Sequence, residues 1–162
     1  MTHSLPQVAH EHHERIVKHI DLVPAVADRL LTEDPEDVRA SLAELGSFID
    51  GTLIPHVDAA ERTLYPELER MFQNRHSMAP MRREHVEVRR LAGEYDKIAA
   101  RIVGGHLALG EKLALRRVLF QLYALVKVHL AEEEAYLRIV EHGTSTEVAD
   151  VLAVALEHPI AD

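Results

Sequence analysis

The chain has 162 residues, 18 basic and 27 acidic side chains for a formal net charge of −9, and 47% hydrophobic residues, enough for one self-supporting core. Cysteine is absent, which excludes disulfides, thiolate catalysis, Cys-ligated zinc and iron–sulfur clusters. The acidic balance argues against nucleic acid as a partner, since phosphate binding needs clustered Lys and Arg. No stretch reaches the roughly 18 uncharged apolar residues of a membrane span, and the first residues lack a signal-peptide core, so a soluble, cytoplasmic protein is expected. Histidine stands out: its 12 residues outnumber Phe, Tyr, Trp and Met combined.

The apolar residues recur with a helical period, and strands are not expected. The first helix runs from about Pro6 to Leu31, with Ile16, Ile20, Val23, Ala27 and Leu30 on one stripe and a kink at Pro24. Asp34 and Pro35 read as N-cap and first helical residue of a second helix that extends to about Asn74. Its apolar rows are Leu42, Leu45, Ile49 and Leu53, then Leu64, Leu68 and Met71; Gly51 and Pro55 interrupt it and imply a bend or register change. The third helix opens at Ser77 and Pro80, carries Met81, His85, Val88, Ala92, Tyr95, Ala99 and Ile102, and stops at Gly104-Gly105.

The fourth helix, from about Gly110 to Glu141, is built on Leu115, Leu119, Leu122, Val126, His129, Glu133 and Leu137. A capping box at Thr144 to Glu147 opens a short fifth helix, with Val148, Val151, Leu152 and Ala155 on one face, that ends before Pro159. The predicted fold is all-α: an up-down-up-down antiparallel four-helix bundle over residues 1–143. Residues 144–162 form a C-terminal helix that packs on the bundle or on a partner, including a second copy.

Polar residues interrupt these stripes. His56, His85, His129 and Glu133 sit among apolar positions, where an unpaired imidazole or carboxylate costs several kcal/mol and therefore needs a partner or a metal ion. His129 and Glu133, four residues apart, differ by about 40° around the helix and can aim at one centre. On the first helix His12 and His13 lie on opposite flanks of the stripe, and either can turn inward; His13 precedes Ile16, Val17 and Ile20 at the spacing of a residue opening a buried row. His10 and His19 read as surface residues. Tyr95 and Tyr123 face the interior, where they serve either as core packing or as hydrogen-bonding groups for a bound ligand.

These fragments resemble the hemerythrin-like, or HHE cation-binding, four-helix domains. The carriers are Glu11-His12-His13, the run from Pro55-His56 through Glu61 to Leu64-Tyr65-Pro66, Met81-Arg-Arg-Glu84-His85, and His129-Leu-Ala-Glu-Glu133-Glu134. The resemblance implies a non-haem di-iron centre, oxo- or hydroxo-bridged, in a protein that binds oxygen or related ligands, senses iron or oxygen, or decomposes peroxide. By position it implies His13, His56, His85, His129 and Glu133 as metal ligands.

Two positions depart from the family pattern. The helix carboxylate expected four residues after His56 is Ala60, and Glu61, one residue later, reaches the centre only through a bend or π-like turn; Asp58 is a weaker substitute. Met81 stands where oxygen carriers have a further histidine, and a thioether is a poor ligand for oxidised iron. The ligand shortage points away from simple oxygen carriage, toward reaction with or sensing of oxygen, peroxide or nitric oxide. The alternatives are a metal-responsive regulatory module, or a bundle with a single zinc, nickel or manganese site. Carboxylate count separates them: Glu61 and Glu133 both inward suit two metals, Glu133 alone suits one.

Overall fold

The computed structural model describes residues 5–102 and 107–142, which are helical throughout apart from short connections and contain no strand. The elements are α1 (Leu5–Ile20), α2 (Val23–Thr32), α3 (Pro35–Phe48), α4 (Ile54–Ala59), α5 (Tyr65–Met71), α6 (Ala79–Ile102) and α7 (Leu109–His142). The Gly104-Gly105 stop and the helix expected after Thr144 lie outside the described residues.

Two expected helices are interrupted, each time at a proline. The first breaks at Asp21–Leu22, where Pro24 has no N–H to give to the preceding turn. The second is continuous from α3 to α5 but widens into π turns at Ile49–Leu53 and Ala60–Leu64. Each π turn is closed by an i→i−5 bond, Ile54 N–H to the Ile49 carbonyl and Tyr65 N–H to the Ala60 carbonyl. Pro55 and Pro66 follow directly. A proline ring collides with the carbonyl four residues back, here that of Gly51 or Arg62, and the wider turn moves both carbonyls out of the way. Asp34 occupies the N-cap of α3 with Pro35 next, but its side chain makes no capping hydrogen bond.

Charged pairs mark how neighbours align. Asp21 meets Lys127 and Asp28 meets Arg116, so α1 and α2 run against α7. Glu84 bonds His129 and Arg101 meets Glu111, so α6 runs against α7 as well. Along the α3–α5 rod, Tyr95 donates to the Leu42 carbonyl, Arg89 meets Asp58, and Arg82 meets Glu69.

The core has two parts. A large cluster contains Ile16, Ile20, Leu30, Ile49, Leu53, Leu91, Leu115, Leu119 and Leu122; a smaller one contains Ala60, Leu64, Tyr65, Leu68, Met78, Met81 and Leu137. The polar layer lies between them in chain position on every rod: His56 separates Leu53 from Ala60, and His85 separates Met81 from Val88.

Candidate metal centre

Among the described residues, five polar or charged side chains are buried: His13, His56, His85, His129 and Glu133, none more than 6% exposed. α1, α4, α6 and α7 each supply at least one, and all five point into the layer between the clusters. His13 Nε2 approaches Glu133 Oε2 at 2.8 Å and His56 Nε2 approaches the same oxygen at 3.3 Å. On the other side His85 Nε2 and His129 Nε2 are 3.0 Å apart. The donors form two overlapping triads, His13–His56–Glu133 and His56–His85–His129, each with its ligand atoms within 4.8 Å of one another.

The hydrogen bonds behind the imidazoles fix which nitrogen faces inward. Nδ1–H of His13 donates to Glu134 (2.6 Å), that of His85 to Glu61 (3.0 Å), and that of His129 to Glu84 (2.8 Å). A carboxylate can only accept, so each of these Nδ1 atoms carries a proton, and wherever the ring is neutral, as at His85 and His129, the Nε2 lone pair turns to the interior. Outer carboxylates holding metal-binding histidines in this way are the common supporting arrangement of metal sites.

Left to themselves these inward atoms are poorly satisfied. His13 Nε2, His56 Nε2 and both oxygens of Glu133 are buried with no aligned hydrogen bond, a condition that costs free energy unless another group fills it. His85 Nε2 and His129 Nε2, 3.0 Å apart with both Nδ1 atoms protonated, would otherwise set two lone pairs face to face, and a cation held by both would relieve that contact. The donors are imidazole and carboxylate, suited to iron, zinc or manganese rather than to a soft cation.

Electrostatics follow the same lines. Burial pushes the Glu133 carboxyl up, but His13 and His56 outweigh it and hold the group well below the usual carboxylate range, ionised. Burial, reinforced for His85 by the neighbouring His129, draws the imidazoles of His85 and His129 down to about 4, so both are neutral and ready to coordinate near pH 7. At His13 burial is opposed by Glu133 and Glu134, and the imidazole is raised.

The structure separates the expected site residues. His13, His56, His85, His129 and Glu133 come together. His12 does not join them; its ring stacks on His56 with centroids 5.2 Å apart. Glu61 also stays outside. It backs His85 and accepts from Arg89 (3.0 Å), which holds Asp58 as well (2.8 Å). The π turn that was to bring Glu61 inward forms, but it leaves Ala60 on the interior side and sends Glu61 toward α6. Tyr95 spends its hydroxyl on the Leu42 carbonyl, inside the large cluster, and Tyr123 packs against that same cluster, outside both triads. Met81 is fully buried among the apolar residues of the smaller cluster.

Tyr65 was not expected among the site groups and is one of them. Its hydroxyl lies 3.1 Å from His85 Nε2 and 3.5 Å from His129 Nε2, and the ring is fully buried. Burial, together with nearby Glu133, raises the phenol far above its usual range, so in the metal-free protein it is a neutral donor. Nine residues after His56, a regular helix would turn it about 180° away; the π turn absorbs one residue and brings it to about 80°. Glu84 and Glu134 were also missed as supports, because each bonds a ring on another helix and no spacing within one helix reveals it.

No curated protein and no solved structure matches the chain. Residues 6–103 match the hemerythrin HHE cation binding domain family. That region covers α1 to α6, and the structure adds from α7 the two clustered side chains, His129 and Glu133, that lie beyond it. With more than half of its length matched and a cluster of His and Glu able to hold a cation at its centre, the chain belongs to the hemerythrin HHE cation-binding family.

Proposed function

We propose that this protein is a non-haem di-iron protein that binds or reacts with oxygen, peroxide or nitric oxide, in redox stress or sensing rather than oxygen carriage. The observation that carries the two-metal reading is Glu133: both of its oxygens are buried with no aligned hydrogen bond, and its triad shares His56 with the triad of His85 and His129. One oxygen faces His13 and His56. The phenol of Tyr65 feels the same carboxylate from the side of His85 and His129. A carboxylate so placed can serve one ion with each oxygen.

Iron held there supplies one-electron redox chemistry and open positions for a small ligand. The chain's own part is to hold four imidazoles with Nε2 inward, three of them fixed by Glu134, Glu61 and Glu84, to keep Glu133 ionised, and to hold the Tyr65 hydroxyl as a proton donor beside His85. Five donor side chains leave two ions with open positions, which suits exogenous ligands better than a saturated carrier site.

One observation favours a second reading. Glu61 is turned outward, so a single inner carboxylate remains, and one ion on His13, His56 and Glu133 is the simpler occupant. Elemental analysis after anaerobic iron loading decides. About two irons per chain, with loss of both in Glu133→Ala, supports the first reading; one iron per chain supports the second; none in wild type ends both.

A further inference from the structure

Between α1 and the α4 segment lies a groove of about 540 Å³, with His13 and His56 on its floor and Pro55, Ala59 and Ala60 among its walls. Its size is far beyond what a diatomic ligand requires and falls in the range of pockets that hold small organic molecules. It exists because one wall is made of small residues. A side chain added at Gly51 would meet nothing within 4 Å, and Ala59 is exposed.

The charge of this groove is opposite to that of the molecule. In a chain with net charge −9, no aspartate or glutamate among the described residues lines it, whereas the guanidinium of Arg15 does, beside the imidazole of His12. Arg15 forms no ion pair among the described residues and instead donates to His12 Nδ1 at 3.1 Å. His12 therefore carries its remaining proton on Nε2, and the Arg15–His12 pair presents donors with no acceptor assigned to them. The surrounding wall is otherwise largely apolar.

We propose that this groove binds a small organic monocarboxylate, its carboxylate on Arg15 and His12 and its apolar body over Pro55, Ala59 and Ala60. A guanidinium flanked by apolar surface favours such an ion over either an inorganic anion or a neutral alcohol, because charge and apolar burial are both used. The assignment rests on the groove's own side chains and stands whether the neighbouring donors hold two metals, one or none.

The test is calorimetric titration of the full-length protein with hexanoate and with 1-hexanol, with metal content measured on the same samples. Hexanoate should bind at least tenfold more tightly than hexanol, and Arg15→Gln should weaken hexanoate about tenfold while leaving hexanol unchanged. Gly51→Leu and Ala59→Leu, which fill the groove from two different turns, should abolish both bindings without lowering the melting temperature or the metal content. Equal affinity for hexanoate and hexanol, or an Arg15→Gln variant that binds hexanoate as wild type does, overturns the carboxylate assignment. Unaltered binding in both leucine variants overturns the groove as the site. A protein that binds hexanoate in this pattern but takes up no metal after anaerobic iron loading upholds the groove and refutes only the metal centre.

Discussion

Replacing Glu84 by leucine should weaken metal binding without touching any metal ligand. Its carboxylate accepts from His129 Nδ1 at 2.8 Å, and that bond holds the His129 lone pair on the inward nitrogen. Without it the imidazole gains its other tautomer and freedom to rotate, and the ligand must be reordered on each binding event. Losing such a supporting carboxylate typically costs 10- to 100-fold in metal affinity, equivalent to about 1.4–2.8 kcal/mol. Glu84 itself is only partly buried, and its removal leaves the apolar clusters intact, so the metal-free melting temperature should change little. The assay is competition with a chelator of known affinity, on wild type, Glu84→Leu and the control Glu87→Leu, whose carboxylate pairs with Arg90 on the surface. A Glu84→Leu affinity within twofold of wild type would refute the supporting role. An equal loss in Glu87→Leu would show that surface charge, not imidazole orientation, is responsible.

Three further outcomes are expected. Ala60→Glu places a second carboxylate on the interior side, where Ala60 is now packed among Leu64, Tyr65 and Leu68; the metal-free melting temperature should fall and the metal content rise, and a variant altered in neither property contradicts the geometry. The metal-free protein should lose stability as pH falls from about 6.5 toward about 4. His85 and His129 titrate near 4 in the fold, so the unfolded chain binds more protons across that window. His13, raised in the fold, works in the opposite sense; below that window the ionised Glu133 continues the loss, and a thermal melt unchanged between pH 7 and pH 4.5 would contradict this. Gln73 ends α5 with φ of 50°, in the left-handed region, with Asn74 N–H bonded back to the Glu69 carbonyl. Gln73→Gly should therefore stabilise by about 1 kcal/mol, read as a melting temperature about 3 °C higher.

Where the helix is regular, the sequence was sufficient to locate the side chains that cluster in the core. His129 and Glu133 share a face of α7 because four residues make about 40°, and His85 falls in the apolar row of α6 for the same reason. His13 was favoured over His12 by the apolar residues that follow it, and its Nε2 faces Glu133. The arithmetic failed on the rod that contains His56. There two π turns alter the rotation per residue, so Glu61 was placed by a turn whose effect on its direction could not be read, and Tyr65 was not singled out. Pro55 and Pro66 were the visible signals, since each demands relief from the carbonyl four residues earlier. Contacts between rods were not legible at all. That Glu84 bonds a ring on α7 rather than its neighbour His85 depends on the axial offset between helices, which no single-helix pattern records.

The widened turn at Ala60–Leu64 also records how the rod is spaced, for it holds one residue more than ordinary winding would take. Removing one residue from it, Arg62 for example, would leave Tyr65 eight regular positions after His56, at the same angle of about 80°, and the phenol would keep its place beside His85. Ordinary winding at unchanged length would instead rotate everything downstream by about 100° and carry the phenol away. The extra residue and the wide turn are therefore one compensated change, and only a change that separates them would swap the side chain presented at the centre.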